Sequence, residues 1–506
     1  MRKTFTVAAV VAAASLLVPA TAQALDDVNT RKLRNAVSAN GILAHERVFQ
    51  KIANENGGIR ASGTPGYDES AKYVARTLRN SGYRVKLQTF DFPFFQELAP
   101  SELAQIEPNE VEYASATMTF SGNGEVIGKL VPTNDVLIPP PETPGSTSGC
   151  EASDFVPASE TEPEVALIQR GTCTFGAKAA NARAAGYDAV IVFNEGQPGR
   201  TDVVAGTLGA PEELPVVGAS FDTGAELYAL TEGNTDVIVR VATSTESEIR
   251  PTSNVIADSV GGDPDEVVVV GAHLDSVAAG PGINDNGSGS SAILEVAQEM
   301  ARLGIEPRRQ LRFAFWSAEE LGLIGSTYYV NNLGDADLGR IYANLNFDMV
   351  GSPNYVRFVY DGDGSDSDPA GPPGSAQIED LFTGYFDSVD LASDPTPFSG
   401  RSDYGPFIAA GIPAGGLFTG AEGIKTAEQA AFYGGTAGIA YDPCYHLACD
   451  TIANVNTQAL GEMGDAVAHA VMVMARSRDG LFEDGSAPAR TPVPADTFDY
   501  RGDLIR

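Results

Sequence analysis

Three apolar runs that each end on acidic or imidazole side chains constrain this chain more than any other feature of its sequence. Parallel strands read as short, continuous apolar runs, and ligands of open parallel sheets bind at the carboxyl ends of such strands. His273 follows the run Val267–Ala272, Glu319 and Glu320 follow Leu311–Trp316, and Asp348 follows Ile341–Phe347.

The spacing between these runs predicts the fold class. Helical apolar periodicity fills residues 286–303 and 320–332, and it returns at 455–476, whereas an alternating pattern predicts a strand at 83–90. Strands that alternate with helices indicate an α/β fold, with a doubly wound, mostly parallel sheet and helices on both faces.

The residues at the strand ends predict a metal site. Two metal ions can share a site when one carboxylate bridges them. Taken alone, each residue has a structural alternative, such as a helix N-cap for Asp285 or a dipole-stabilised helix start for Glu319 and Glu320. Their joint occurrence favours the site, for which we predict the following set: His273 and Asp348 for one ion, Glu320 and His446 for the other, Asp285 between them, Glu319 as the general base and Asp275 to orient His273.

The N-terminus and the cysteines predict an exported protein. Residues 1–24 combine a basic start, an apolar stretch and a small-x-small cleavage site, which is typical of a secretory signal peptide rather than a membrane anchor. Four cysteines in an exported chain favour disulfides, and sequence proximity pairs Cys150 with Cys173 and Cys444 with Cys449. A cysteine-based zinc site is the alternative, but the chain has no Cys-x-x-Cys pair.

The charge balance restricts the partners. A formal net charge of −34 argues against nucleic acid and anionic membranes as partners. We expect a secreted chain without a membrane anchor that is monomeric, and adaptation to high salt is left open.

A β-rich block interrupts the α/β pattern and resembles the protease-associated domain. The matching residues include Arg170–Phe175, Lys178 and Ala189–Asn194. We predict the following parts: a signal peptide at 1–24, peptidase segments at 25–114 and 246–479, the inserted domain at 115–245 and a flexible tail at 480–506. No candidate ligand or base lies in the insert, so we expect the chemistry not to depend on it. A role in substrate access and a role as a spacer both stay open.

The residues around the predicted ligands resemble the secreted di-zinc aminopeptidases, which include the aminopeptidase Y type, the bacterial leucyl aminopeptidases and the Streptomyces-type enzyme. The motifs that carry this resemblance are His273-Leu274-Asp275-Ser276, Asn284-Asp285-Asn286-Gly287, Ser317–Gly322, Asn346–Ser352, Phe398–Pro406, Gly415–Gly420 and Tyr445-His446. One departure is Asn286, where many relatives carry a second Asp.

The resemblance implies an activity and roles for further residues. It implies two Zn²⁺ ions per chain, an activated water with Glu319 as base, and peptide N-termini as substrates, with a preference for large apolar residues such as leucine. Tyr445 would donate a hydrogen bond to the oxyanion, and the backbone at Arg401 would help to bind the α-amine. Met349 and Phe418 would line the side-chain pocket. Ca²⁺ stays open as a further ligand.

Three alternatives remain at this point. A glutaminyl cyclase of similar fold uses one zinc ion and does not need the complete ligand set. A carboxypeptidase would need a site for the substrate carboxylate, which the sequence does not reveal. A non-catalytic peptide-binding protein would be expected to lack ligands or the base.

Overall fold

The computed structural model describes residues 28–233 and 236–481. The predicted signal peptide and nearly all of the predicted tail lie outside the described residues. Within the described part of the chain, every helix is too short or too polar to cross a membrane.

The strands form one sheet. They are β1 (Arg84–Glu107), β2 (Val111–Tyr113), β3 (Ser115–Thr117), β4 (Gly124–Pro132), β5 (Glu164–Gln169), β6 (Ala189–Phe193), β7 (Val216–Ala219), β8 (Ile238–Asp258), β9 (Asp263–His273), β10 (Arg309–Trp316), β11 (Ile341–Phe347), β12 (Phe358–Tyr360), β13 (Asp394–Thr396) and β14 (Ala414–Phe418). Their order is β13-β12-β14-β11-β9-β10-β8-β4-β5-β6-β7-β3, and β1 pairs with β8 and β2.

The helices cover the sheet. They are α1 (Arg31–Arg34), α2 (Ala39–Glu55), α3 (Pro65–Asn80), α4 (Phe175–Ala184), α5 (Phe221–Thr231), α6 (Gly287–Arg302), α7 (Ile324–Asn331), α8 (Asp335–Arg340), α9 (Ser375–Ser388), α10 (Gly405–Ala409), α11 (Ala427–Tyr433) and α12 (Thr457–Arg476).

The centre of the sheet is parallel, as the apolar runs predict. Strands β10, β9, β11 and β14 are parallel neighbours, and all residues of β11 are buried. Two hydrophobic clusters explain this burial. Val268 and Val270 of β9 belong to the larger cluster, with α2, α6 and α12, whereas Val267 and Val269 pack on the opposite face. Because both faces of β9 are buried, its residues Val267–Val270 form a continuous apolar run without the alternation of a half-exposed strand.

The predicted strand at 83–90 is confirmed but extends much further. Strand β1 pairs with β8 in one antiparallel ladder, from Arg84 opposite Asp258 to Glu107 opposite Ile238. The buried face changes along β1, because Phe90, Phe92 and Phe94 are buried after an exposed Leu87. The long pair connects the central sheet to the inserted block, whose strands β5 and β6 are almost entirely buried.

The helix predicted at 320–332 begins later than expected. The structure starts α7 at Ile324, after a loop in which Ala318 and Leu323 have φ angles of 54° and 57°. Left-handed backbone at two non-glycine residues ends the regular pattern on either side of the loop. Glu319 and Glu320 are therefore loop residues rather than the first turn of a helix.

Candidate metal centre

The strand ends bring the predicted residues together. His273 is the last residue of β9, Asp348 directly follows β11, and Glu319 lies three residues beyond β10. Since these three strands are adjacent and parallel, their carboxyl ends meet at one edge of the sheet. The backbone is strained there, with φ angles of 49° at Met349 and 57° at His446. Such strain at non-glycine residues is common at functional sites.

Asp285 lies between two imidazoles. Its Oδ1 is 3.2 Å from Nε2 of His273, and its Oδ2 is 3.2 Å from Nε2 of His446. Each imidazole also faces a second carboxylate, at 3.3 Å for Asp348 and 3.1 Å for Glu320. The five side chains therefore form two imidazole–carboxylate pairs that share the carboxylate of Asp285.

The electrostatics of this cluster call for additional positive charge. Burial alone would lower the pKa of His273, but the charges of Glu319 and Asp348 raise it well above its usual value. For His446, burial also lowers the pKa, yet Glu320 and Asp285 raise it to about 11. Burial raises the pKa of Glu320 to about 7. A cluster of several buried carboxylates needs nearby positive charge, which either protonated imidazoles or bound metal cations can supply.

The donor set fits a metal ion. Oε1 of Glu320 and Oδ1 of Asp348 are buried and form no hydrogen bond within the described residues. The ligand atoms of His273, Asp285 and Glu320 lie within 4.8 Å of one another, as do those of His273, Glu319 and Asp348. Imidazole nitrogens and carboxylate oxygens without thiolate suit Zn²⁺.

Glu319 differs from Glu320 in its contacts. Its Oε2 is 3.9 Å from Nε2 of His273, the longest of the carboxylate distances to this nitrogen, and burial raises its pKa well above the usual value. Its backbone N–H donates to Oδ1 of Asp275 at 3.3 Å. Asp275 contacts Nδ1 of His273 through its backbone carbonyl at 3.2 Å, while its carboxylate lies 3.7 Å away. Asp275 thus touches both His273 and Glu319.

A buried arginine that the sequence does not single out holds two loops that carry predicted ligands. The guanidinium of Arg60 donates to the carbonyls of Leu274, Pro281 and Gly282, which lie between His273 and Asp285 in the chain. Burial lowers the pKa of Arg60 to about 10, which leaves it charged at neutral pH. In the sequence, Arg60 lies in a turn-rich loop and resembles an exposed charge, so only its position in the structure reveals this role.

Two further side chains that the sequence does not single out orient individual predicted ligands. Ser402 donates from Oγ to Oδ2 of Asp348 at 2.5 Å and accepts from Nδ2 of Asn346 at 2.8 Å. Asp450 accepts the backbone N–H groups of Asn284 and Asp285, at 2.9 and 3.0 Å. Both contacts orient ligands from outside, as metal sites commonly require.

Tyr445 and Arg401 lie beside the cluster. Nη2 of Arg401 donates to the hydroxyl of Tyr445 at 3.3 Å, and Nη1 of Arg401 pairs with Glu422 at 2.6 Å. The ring of Tyr445 stacks on His446, with centroids 3.8 Å apart. The hydroxyl is therefore held near the centre.

Both predicted disulfides are confirmed. Cys444 pairs with Cys449 around Tyr445 and His446, and Cys150 pairs with Cys173 in the inserted block. With all four cysteines of the chain in disulfides, the cysteine-based zinc site is wrong. The two remaining histidines lie elsewhere, His45 between helices against Tyr73 and Glu295, and His469 on α12.

A cavity of about 1060 Å³ opens over the cluster. The predicted ligands, Glu319 and Tyr445 line it, together with the three residues predicted to bind substrate, Met349, Arg401 and Phe418. Phe418 stacks on Phe358 at 6.0 Å, which makes this part of the wall aromatic. A concave, largely apolar pocket with a few convergent polar groups is the usual form of a small-ligand site.

Known proteins resemble this chain along most of its length. Residues 254–471 match the model of peptidase family M28, and residues 126–227 match the PA domain, within the predicted insert. An aminopeptidase of Pseudomonas aeruginosa is 46% identical over 443 residues, which cover 86% of this chain and 81% of that relative. Leucine aminopeptidase 2 of Trichophyton rubrum is 39% identical over 455 residues, 89% of this chain and 86% of the relative.

Two solved structures resemble the fold. The aminopeptidase from Aneurinibacillus sp. strain AM-1 aligns with a TM-score of 0.65 at 25% identity, over 88% of this chain and 96% of the other. The zinc aminopeptidase from Bacillus subtilis aligns with a TM-score of 0.58 at 25% identity, over 89% of this chain and 99% of the other.

Proposed function

Since the chain belongs to peptidase family M28 and is a metallo-aminopeptidase, we propose that it removes a large apolar N-terminal residue, such as leucine, from peptides with the help of two zinc ions. The observation that carries this proposal is the shared carboxylate of Asp285 between two imidazole–carboxylate pairs. His273 and Asp348 would hold one ion, Glu320 and His446 the other, and Asp285 both. The bound ions would supply Lewis acidity to the scissile carbonyl and lower the pKa of water.

We assign the proton transfer to Glu319. Glu319 lines the cavity, and its carboxylate lies farther from an imidazole nitrogen, at 3.9 Å, than the carboxylates of the proposed ligands. Burial raises the pKa of its carboxyl group. Glu319 takes the proton of the attacking water and transfers it to the leaving amine. The carboxylate of Asp275 accepts the backbone N–H of Glu319, and the backbone carbonyl of Asp275 contacts Nδ1 of His273, so Asp275 holds the Glu319 segment beside His273.

Tyr445 serves the oxyanion. Its hydroxyl group, held by Arg401, is available to donate to the charge that develops on the carbonyl oxygen. The carboxylates of Glu319 and Asp348 attract the substrate's α-ammonium group, so the proposed enzyme acts on peptides with a free N-terminus. Met349 and Phe418 receive the first side chain, and their apolar surface favours leucine-like residues over charged ones.

We also propose that the protein is exported. The signal-like residues 1–24 support export, and two disulfides suit an oxidising compartment. We propose a monomer that works with zinc alone or with zinc and calcium. Outside the centre, the described acidic group is Asp361, Asp363 and Glu379, and Asp361 already accepts three backbone N–H groups of its own loop.

One experiment tests the proposal and separates it from the alternatives. Amino acid release is measured from a leucyl peptide and from its N-acetylated form, before and after chelation and after zinc is returned, with zinc content determined in parallel. We expect about two zinc ions per chain, release from the free peptide alone, and recovery with zinc. Full activity without metal contradicts the metal centre, and equal cleavage of the acetylated peptide contradicts the exopeptidase. Zinc and peptide binding without turnover would support the non-catalytic alternative.

A further inference from the structure

The active-site cavity has two walls on opposite sides of the ligand cluster. The ligands follow β9, β10 and β11 at the centre of the strand order. On one side, the wall consists of Met349 after β11, Phe358 of β12 and Phe418 of β14. On the other side, beyond β10 and β8, the wall is formed by residues of the inserted block, among them Phe120 and Thr207.

The insert's wall is built rigidly. Phe120 is buried and has a φ of 72°, a conformation that costs free energy at a non-glycine residue. Its carbonyl accepts from the backbone N–H of Glu212 at 2.9 Å and from Oγ of Ser247 at 3.0 Å. Its ring packs edge-on against Phe95 at 5.9 Å. These contacts hold the ring in place at the cavity.

Thr119 and Thr207 join two segments of this wall. The backbone N–H of Thr119 donates to Gly206 at 2.8 Å, and that of Leu208 donates back to Thr119 at 3.0 Å. Both threonine side chains are half-buried and line the cavity. They leave room that a larger side chain would fill.

Leu321 connects the insert to the catalytic loop. It follows Glu319 and Glu320 directly, and it packs against the hydrophobic cluster of the insert that contains Phe120. Leu321 also packs against the cluster of Phe90, Phe92 and Phe94 on β1. The wall is therefore continuous from the insert to the loop that carries the general base.

We propose that this wall is the subsite for the second residue of the substrate and that it selects an apolar side chain there. The inference rests on the proposed function, in which Met349 and Phe418 receive the first side chain. With the scissile carbonyl at the ligand cluster, the leaving residue extends to the opposite wall. Its lining carries no charged side chain among the described residues, namely Pro93, Thr119, Phe120, Thr207, Gly209, Leu321 and Ile324. Burial of an apolar side chain there stabilises the complex, whereas a carboxylate is desolvated without a partner.

The test uses the full-length zinc enzyme and four substrates: leucinamide, Leu-Gly-amide, Leu-Phe-amide and Leu-Asp-amide. We expect wild-type kcat/KM to be roughly tenfold or more higher for Leu-Phe-amide than for Leu-Gly-amide, the scale of discrimination that an apolar pocket supplies. We expect Leu-Asp-amide to be the slowest of the three dipeptide amides.

Two variants alter the wall in opposite ways. Phe120→Gly removes the ring and suits the positive φ, and it should bring the Leu-Phe to Leu-Gly ratio close to one. Thr207→Trp fills the space, and it should lower the ratio of Leu-Phe-amide to leucinamide roughly tenfold. The matched control is Ile127→Ala, an exposed apolar side chain of the same insert that does not line the cavity, and it should leave both ratios unchanged.

The outcomes separate the subsite from the activity itself. A wild-type ratio near one, or wild-type ratios in both wall variants, overturns the subsite while the aminopeptidase stands. If Phe120→Gly does not fold, the ratio measured for Thr207→Trp decides alone. If the zinc-loaded wild type hydrolyses none of the four substrates, the proposed function is overturned, and the subsite with it.

Discussion

At the scale of single residues, Glu319 and Glu320 are chemically identical neighbours in different environments. Glu320 lies 3.1 Å from His446, whereas Glu319 approaches His273 only to 3.9 Å. We therefore expect Glu319→Gln to retain zinc and lose roughly 10²- to 10⁴-fold in turnover, since an amide cannot accept the proton. Glu320→Gln should lose zinc affinity first and regain part of its activity in excess zinc. Zinc content and rate at several zinc concentrations check both, and rescue of Glu319→Gln alone would reverse the assignment.

A second prediction at this scale concerns Ser402. When the hydroxyl group of Ser402 is removed, the carboxylate of Asp348 loses a hydrogen-bond donor and Nδ2 of Asn346 loses its acceptor. We expect Ser402→Ala to weaken zinc binding at one site by roughly 10- to 100-fold. Competition with a fluorescent zinc chelator measures this independently of activity.

The matched control for Ser402 is Ser291→Ala. Oγ of Ser291 is also buried but forms no hydrogen bond within the described residues, so its removal should leave zinc affinity unchanged. Equal zinc affinity in Ser402→Ala and the wild type would show that Asp348 is oriented without Ser402.

At the scale of elements, the loop from Cys444 to Cys449 carries both Tyr445 and His446. Its disulfide closes a short loop, so its effect on the unfolded chain is smaller than the roughly 3 kcal/mol expected for 15 residues. We expect the double variant Cys444→Ser/Cys449→Ser to lose zinc from the site of His446, with a smaller change in stability. Zinc content and thermal unfolding of the variant measure the two effects.

The second disulfide supplies the comparison. Cys150→Ser/Cys173→Ser opens a loop of 23 residues in the insert, far from the ligands in the strand order. This variant should lose more stability and keep its zinc. If Cys444→Ser/Cys449→Ser keeps its zinc and Cys150→Ser/Cys173→Ser loses it, the short disulfide does not position His446.

Helix α12 should make stability depend on pH. Burial lowers the pKa of His469 to about 4, and its Nδ1 is 3.0 Å from the hydroxyl of Thr30. The folded pKa lies below the unfolded value of about 6.5, so the unfolded chain binds more protons between these values. The stabilising contribution is complete above about pH 6.5 and is lost as pH falls towards 4. His469→Gln should therefore show a smaller loss of unfolding free energy over this range, and an unchanged pH slope would contradict the assignment.

At the scale of the whole molecule, one continuous sheet joins the peptidase part to the insert through β8. We expect a single cooperative unfolding transition, since the shared ladder cannot separate without exposing apolar surface. The only tryptophan, Trp316, is buried in β10 and reports on the peptidase part, whereas calorimetry reports on the whole chain. Zinc at 100 times its dissociation constant stabilises by about 2.7 kcal/mol, so a chelator should shift both signals together. A calorimetric transition that the chelator does not shift would indicate an independent insert.

The central strands, both disulfides and the parallel α/β class were predictable from the amino-acid sequence alone. These depend on local information: runs of apolar residues, their spacing, and cysteines that are near one another in the chain. The sequence also predicted that His273, Glu319 and Asp348 meet, because the ends of adjacent parallel strands share one edge of the sheet.

How far β1 extends, where α7 begins, and what lies behind the predicted ligands could be read only from the three-dimensional structure. Arg60 contacts carbonyl groups more than 200 residues away, and Ser402 reaches Asp348 across 54 residues. Neither contact leaves a periodic pattern, because a single buried polar contact depends on which backbone atoms the fold brings to it. The insert's place at the cavity follows in the same way from the long pairing of β1 with β8, which carries Phe120 and Thr207 to the second wall.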